Sequence, residues 1–157
     1  MSEVEQKLQD MGLALPEAPT PVAAYIPAKQ VGEFVYVSGQ IPMKDGEIAY
    51  TGKVGQDLST EDGYEAAKIC TLNALAVVKS VIGEWANLVE VVHVRGYVNS
   101  APEFGEQPEV VNGASEFLGE LLGDRGTHAR AAVGVAGLPR GVPVEIEMVV
   151  RVASSIP

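Results

Sequence analysis

Arg130 is the residue that most invites a chemical reading of this sequence. It lies in His128-Ala-Arg-Ala-Ala-Val-Gly-Val135, a stretch otherwise made of small and apolar residues. A guanidinium stays charged at physiological pH and offers five donors in a planar fork that matches a carboxylate. On an apolar strand it has three outlets: solvent, an acidic partner, or an anionic ligand. Glu145 and Glu147 follow in the β-rich stretch Val142 to Val152, so a salt bridge from Arg130 to either is one reading. For Glu145 itself, a solvated place on a polar strand face is the plainer reading.

Other chemistries fail on spacing or charge. Gly52 to Gly55 lacks the Lys-Ser/Thr that follows a P-loop and the spacing of a dinucleotide fingerprint. His93 and His128 are far apart and Cys70 is the only cysteine, so no metal set or intramolecular disulfide is indicated. Ser38, His128 and an Asp can be written as a triad, but no nucleophile elbow surrounds the serine. The formal net charge is −10, with 11 Lys and Arg against 21 Asp and Glu. Nucleic acids and anionic membrane surfaces bind dense positive charge and are disfavoured as partners. A small anion held by one arginine is compatible with this balance. The longest apolar run, Ala74 to Val78, is too short to span a bilayer, and the N-terminus has no apolar leader. The sequence therefore reads as a soluble, cytoplasmic protein.

The elements that must position Arg130 can be read next. A chain of 157 residues, 46% hydrophobic and 20% charged, suits one domain burying roughly two-thirds of its unfolded surface. Val4, Leu8 and Met11 give residues 1–15 one apolar stripe, and Pro16-Glu-Ala-Pro-Thr-Pro21 breaks it. This predicts an appended helix on a linker, docked against the body. Ala23 to Val31 and Phe34 to Ser38 read as strands flanking Gly32-Glu33, and Lys44-Asp45-Gly46 is a turn before a short strand near Glu47 to Tyr50. Ser59 caps a helix that runs to about Ile82 and stops at Gly83. That helix is apolar on more than one side, which suits either a deep place in one chain or an oligomer. Leu88 to Val98 is the clearest strand. A second helix starts at Pro108, with Val111, Ala114, Leu118, Leu121 and Leu122 as its core face, and Gly123 ends it. His128 to Val135 and Val142 to Val152 then read as a closing hairpin around Gly137 to Gly141. In the last strand Val144, Ile146, Met148, Val150 and Val152 point one way, while Glu145, Glu147 and Arg151 point the other. The order ββ(β)αβαββ predicts an α+β fold, a mixed sheet with two helices on one face.

Two blocks carry a family likeness. Val35-Tyr-Val-Ser-Gly-Gln-Ile-Pro42 resembles the early strand of the Rid (YjgF-like) family. Ala129-Arg-Ala-Ala-Val-Gly-Val-Ala-Gly-Leu-Pro139, followed by Val142-Pro-Val-Glu-Ile-Glu147, resembles its closing signature. They stand in the right order, with two helical segments between them, and the likeness covers about Pro21 to Val152. It implies a chorismate-mutase-like subunit, three of which close a trimeric barrel with a cleft at each interface. It divides the chain into an N-terminal helix and Pro-rich linker over residues 1–20 and a Rid-like domain over 21–157. It also implies an activity, the cofactor-free and metal-free hydrolysis of 2-imino acids and 2-enamines to 2-keto acids and ammonia. An imine is already electrophilic, so holding its carboxylate and delivering a water suffices. Position by position, Arg130 matches the family arginine that clamps the substrate carboxylate, and Glu145 the glutamate that positions the water. Tyr25 matches the tyrosine near the cleft, and Ser38 and Gly39 match the Ser-Gly that lines it.

The chain departs from the deaminase pattern at three places. Ala131-Ala132 stands where deaminases carry Ser-Cys, and Gly134 stands where they often carry Glu. Pro102 falls about where a loop Asn faces the substrate. These changes suggest a divergent branch with its own ligand. An imine deaminase and a non-catalytic trimer that binds a small carboxylate metabolite are both open on this reading. They differ in whether Glu145 can reach a water beside a ligand on Arg130. RNA cleavage, described for some family members, requires a positive cleft much larger than one arginine.

Overall fold

The computed structural model describes residues 1–20 and 24–154. Along the chain lie α1 (Glu3–Asp10), β1 (Ala28–Val31), β2 (Phe34–Gln40), β3 (Met43–Lys44), β4 (Glu47–Ile48), α2 (Thr60–Ile82), β5 (Leu88–Asn99), α3 (Gln107–Leu122), β6 (Ala129–Val135) and β7 (Val144–Val152). Ala23, the expected strand start, lies outside the described residues, and the strand begins at Ala28. Two tight turns follow from local sequence. Gly32, at φ 60°, lets Val31 pair directly with Phe34. Asp45 and Gly46 both take positive φ, the signature of the two-residue hairpin that joins β3 to β4.

The main sheet has the order β1-β2-β7-β5-β6, with β5 and β6 parallel and the other pairs antiparallel. It is the mixed sheet expected, but the closing hairpin is not formed. β7 enters between β2 and β5, so β5 separates it from β6. β5 offers a long edge on each side, and the chain between β6 and β7 crosses over it instead of folding back. β7 buries every second residue from Val144 to Val152, which fixes one face of the sheet as the core face.

Both long helices cover that face. α2 opens with a capping box in which Ser59 and Asp62 exchange side-chain and backbone bonds. It packs on β7 and β2, while α3 packs against α2, β5 and β6. The extra apolar sides of α2 are thus covered within the chain by α3, and its all-round hydrophobicity says nothing about assembly. Helix contact is close where glycine permits it. A Cβ on Gly113 would lie 2.0 Å from the Tyr64 carbonyl oxygen. α1, held by a Ser2–Glu5 capping box, buries Val4 and Leu8 and lies against α3. The opposite face of the sheet carries Phe34, Tyr36 and Val133 in exposed positions. Among the described residues, no helix is long and apolar enough to cross a membrane.

Candidate functional site

Arg130 sits on β6, the edge strand, in register with Val94 of β5, which faces Met148 of β7. Val94 and Met148 are buried beneath the helices, so Arg130 shares their face and reaches along α3. Its Nη1 donates to Asn112 Oδ1 at 2.7 Å and to Ser115 Oγ at 3.2 Å. Asn112 and Ser115 are three apart on α3 and therefore neighbours on its surface. Ser115 Oγ lies 2.9 Å from His128 Nε2, and His128 Nδ1 lies 2.6 Å from the Gly126 carbonyl. A carbonyl only accepts, so in the neutral ring Nδ1 carries the proton and Nε2 accepts from the Ser115 hydroxyl. The serine oxygen is left with lone pairs turned to Arg130.

The salt bridge considered from sequence does not form. Among the described residues, Arg130 has no carboxylate partner, and its Nε and Nη2 make no protein hydrogen bond. The strand order is the reason, because β5 stands between Arg130 and the acids of β7. Glu147 is taken instead by β5, through Arg95 at 3.2 Å and the Tyr97 hydroxyl at 2.6 Å. The free Nε–Nη2 edge of a guanidinium is a fork that can hold a carboxylate by two parallel bonds.

Glu145 occupies the other face of the sheet, in register with Tyr97. Its carboxylate lies over Gly39, where a Cβ would come within 2.7 Å of Oε2. The β2–β7 register slips between Val37 and Gln40, and this bulge at Ser38-Gly39 clears the space above Glu145. Burial raises the Glu145 carboxyl above the ordinary range, and the neighbouring charge of Glu147 raises it further. Ser38 Oγ donates to the Ile26 carbonyl at 2.8 Å, tying β2 to the segment that carries Tyr25. Tyr25 is 64% exposed. It shares with Gly39 the lining of a cavity of about 660 Å³, bounded also by Pro16 to Thr20, Ile41 and Met43. The structure thus brings Ser38 close to the segment that carries Tyr25 and Gly39 close to Glu145, and leaves Arg130 on the opposite face of the sheet.

The departures in sequence have local causes. A Cβ at Gly134 would come within 2.8 Å of Gln107 Nε2 and 2.9 Å of Ser100 Oγ, so the first turn of α3 fills the space a larger side chain needs. Pro102 is exposed in the turn before α3. Asn99 is buried and accepts from Lys53 Nζ at 2.7 Å. Cys70 is buried in α2, its thiol pushed well up by burial and further by the charge of Glu145. Among the described residues, no group of His, Cys, Asp and Glu could hold a metal ion. Sequence reasoning missed the brace of Asn112, Ser115 and His128. The available signal was the pair of polar residues three apart beside the apolar face of α3.

The family model described as "YjgF/chorismate_mutase-like, putative endoribonuclease" matches residues 5–142. A protein called TCP17 of Trypanosoma cruzi is 38% identical over 94% of this chain and 93% of its own length. A 2-iminobutanoate/2-iminopropanoate deaminase of Dermatophagoides farinae is 32% identical over 88% of this chain and 93% of its own. The crystal structure of Atu1372 from Agrobacterium tumefaciens, a protein of unknown function, superposes with a TM-score of 0.91. It is 43% identical and covers 96% of this chain and 92% of that one. The family model covers most of the chain and relatives more than 30% identical align along nearly all of it, so the chain belongs to the YjgF/chorismate mutase-like family.

Proposed function

We propose that this protein hydrolyses small 2-imino acids to 2-keto acids and ammonia, in a cleft built between two copies of the chain. The observation that carries the reading is the free Nε–Nη2 edge of Arg130, with Nη1 already held by Asn112 and Ser115. Such a fork suits the carboxylate of an imino acid. Glu145, raised by burial and by Glu147, suits a carboxylate that takes a proton from water near neutral pH. In this reading, water attacks the imine carbon and its proton passes to Glu145. That proton goes to the imine nitrogen and gives a carbinolamine. The carbinol hydroxyl then passes its own proton, through Glu145, to the amine nitrogen, and as the carbonyl forms the carbon–nitrogen bond breaks and ammonia leaves.

Arg130 and Glu145 lie on opposite faces of one sheet, so a ligand touching both requires Arg130 of one copy beside Glu145 of another. The exposed Phe34, Tyr36 and Val133 on the Glu145 face fit a surface closed by such packing, and a homotrimer is the assembly proposed. The 32% identity to a named imine deaminase supports the reaction class.

The test is ammonia release from imino acids generated in situ by an amino-acid oxidase, across a panel of side chains. Acceleration by the wild type and its loss in Glu145→Gln, with ligand affinity kept, is the expected result. A second reading, a carboxylate-binding trimer without turnover, is favoured by Ala131, Ala132 and Gly134, which put no polar side chain beside Arg130. It prevails if a 2-keto acid binds at Arg130 and no imino acid is hydrolysed faster.

A further inference from the structure

We infer that Ser115 and His128, together with Asn112, form a positioning network that holds the Arg130 fork ready for an anion. The inference rests on the reading of Arg130 as a carboxylate clamp. A long arginine side chain on an edge strand is free to turn among many rotamers, and binding an anion must freeze it. Here the chain of contacts Gly126 carbonyl, His128, Ser115, Arg130 has one consistent arrangement of protons. His128 Nδ1–H donates to Gly126, the Ser115 hydroxyl donates to Nε2, and Arg130 Nη1 donates to the serine oxygen. The Asn112 side-chain oxygen Oδ1 accepts from the same nitrogen at 2.7 Å. Both acceptors engage Nη1, which leaves Nε and Nη2 as the pair open to a ligand.

His128 acts through Ser115 and does not itself contact Arg130. Without its Nε2, the Ser115 hydroxyl loses its acceptor and is free to turn its proton toward the guanidinium, removing one brace. A brace of this kind serves bound substrate and transition state alike, so its loss should appear in KM and leave kcat unchanged. Ser115→Ala and His128→Ala should each weaken binding of 2-oxobutanoate by about tenfold, as losing one hydrogen bond to a charged group does. His128→Gln, whose amide oxygen can take the place of Nε2, should restore most of the loss.

A second readout needs no ligand. The rate at which phenylglyoxal modifies Arg130, followed by mass spectrometry of the peptide, should rise in Ser115→Ala and His128→Ala and return in His128→Gln. If wild type binds no carboxylate while the modification rates change as stated, the clamp reading fails and the positioning network stands. Unchanged modification rates and unchanged affinity in the two alanine variants overturn the network and leave the clamp intact. Alanine variants that lose both affinity and fold, with no rescue by His128→Gln, also overturn it, because a structural role alone would then account for the loss.

Discussion

Replacing Arg130 by Ala separates a ligand clamp from a structural ion pair. Arg130 is half-buried, has no carboxylate partner among the described residues, and gives Nη1 to Asn112 and Ser115. Removing it strands one amide oxygen and relieves one serine, both on half-buried residues that water can reach. The cost to folding should be about 1 kcal/mol, a fall in Tm of roughly 3 °C for a domain of this size. A broken buried ion pair would cost about 3–5 kcal/mol. The ligand loses two charge-assisted bonds, together about 3 kcal/mol or more. That is roughly a hundredfold in affinity. Urea unfolding and calorimetric titration with 2-oxobutanoate, on the same preparations, measure the two quantities. A stability loss of several kcal/mol with affinity intact would refute the clamp.

Three further outcomes follow from the geometry. The Glu145 carboxyl is raised in the fold, so its contribution to stability is complete below the ordinary carboxylate range and is lost as pH rises through the raised value. Glu145→Gln should therefore unfold at higher urea than wild type at neutral pH, with the gap closing in acid. Gly39→Ala sets a Cβ within 2.7 Å of Glu145 Oε2; turnover should fall while circular dichroism and ligand affinity stay near wild type. Gly113→Ala drives a methyl into the Tyr64 carbonyl at 2.0 Å and should cost about 3 kcal/mol of stability in urea titration.

The elements themselves were legible because each carries a strong local signal. Ser59 and Gly83 bracket α2, and the alternation of β7 is unbroken. The strand order was not legible. Consecutive strands in sequence usually pair, and nothing in Gly137 to Gly141 says that β7 inserts between β2 and β5. That one error produced the mistaken salt bridge, since it placed Glu145 and Glu147 beside Arg130. The motif residues were legible through their family likeness, but the face each occupies depends on register, which local sequence does not fix. Likewise the apolar sides of α2 hinted at assembly, yet α3 covers them within the chain. Asn112, Ser115 and His128 were invisible as a set because a shared hydrogen-bond network between a helix and an edge strand exists only after packing.

Whether Arg130 and Glu145 meet across two chains can be measured by mixing variants. Arg130→Ala and Glu145→Gln chains, each inactive alone, are co-expressed or refolded together and assayed for imino-acid hydrolysis. If each cleft takes its arginine from one copy and its glutamate from the next, random assembly gives an intact pair in about one cleft in four. Mixed protein should then regain about a quarter of wild-type turnover, because half the clefts draw a good arginine and half of those a good glutamate. Mixed assemblies that form but stay as inactive as the separate variants would contradict a site shared between copies.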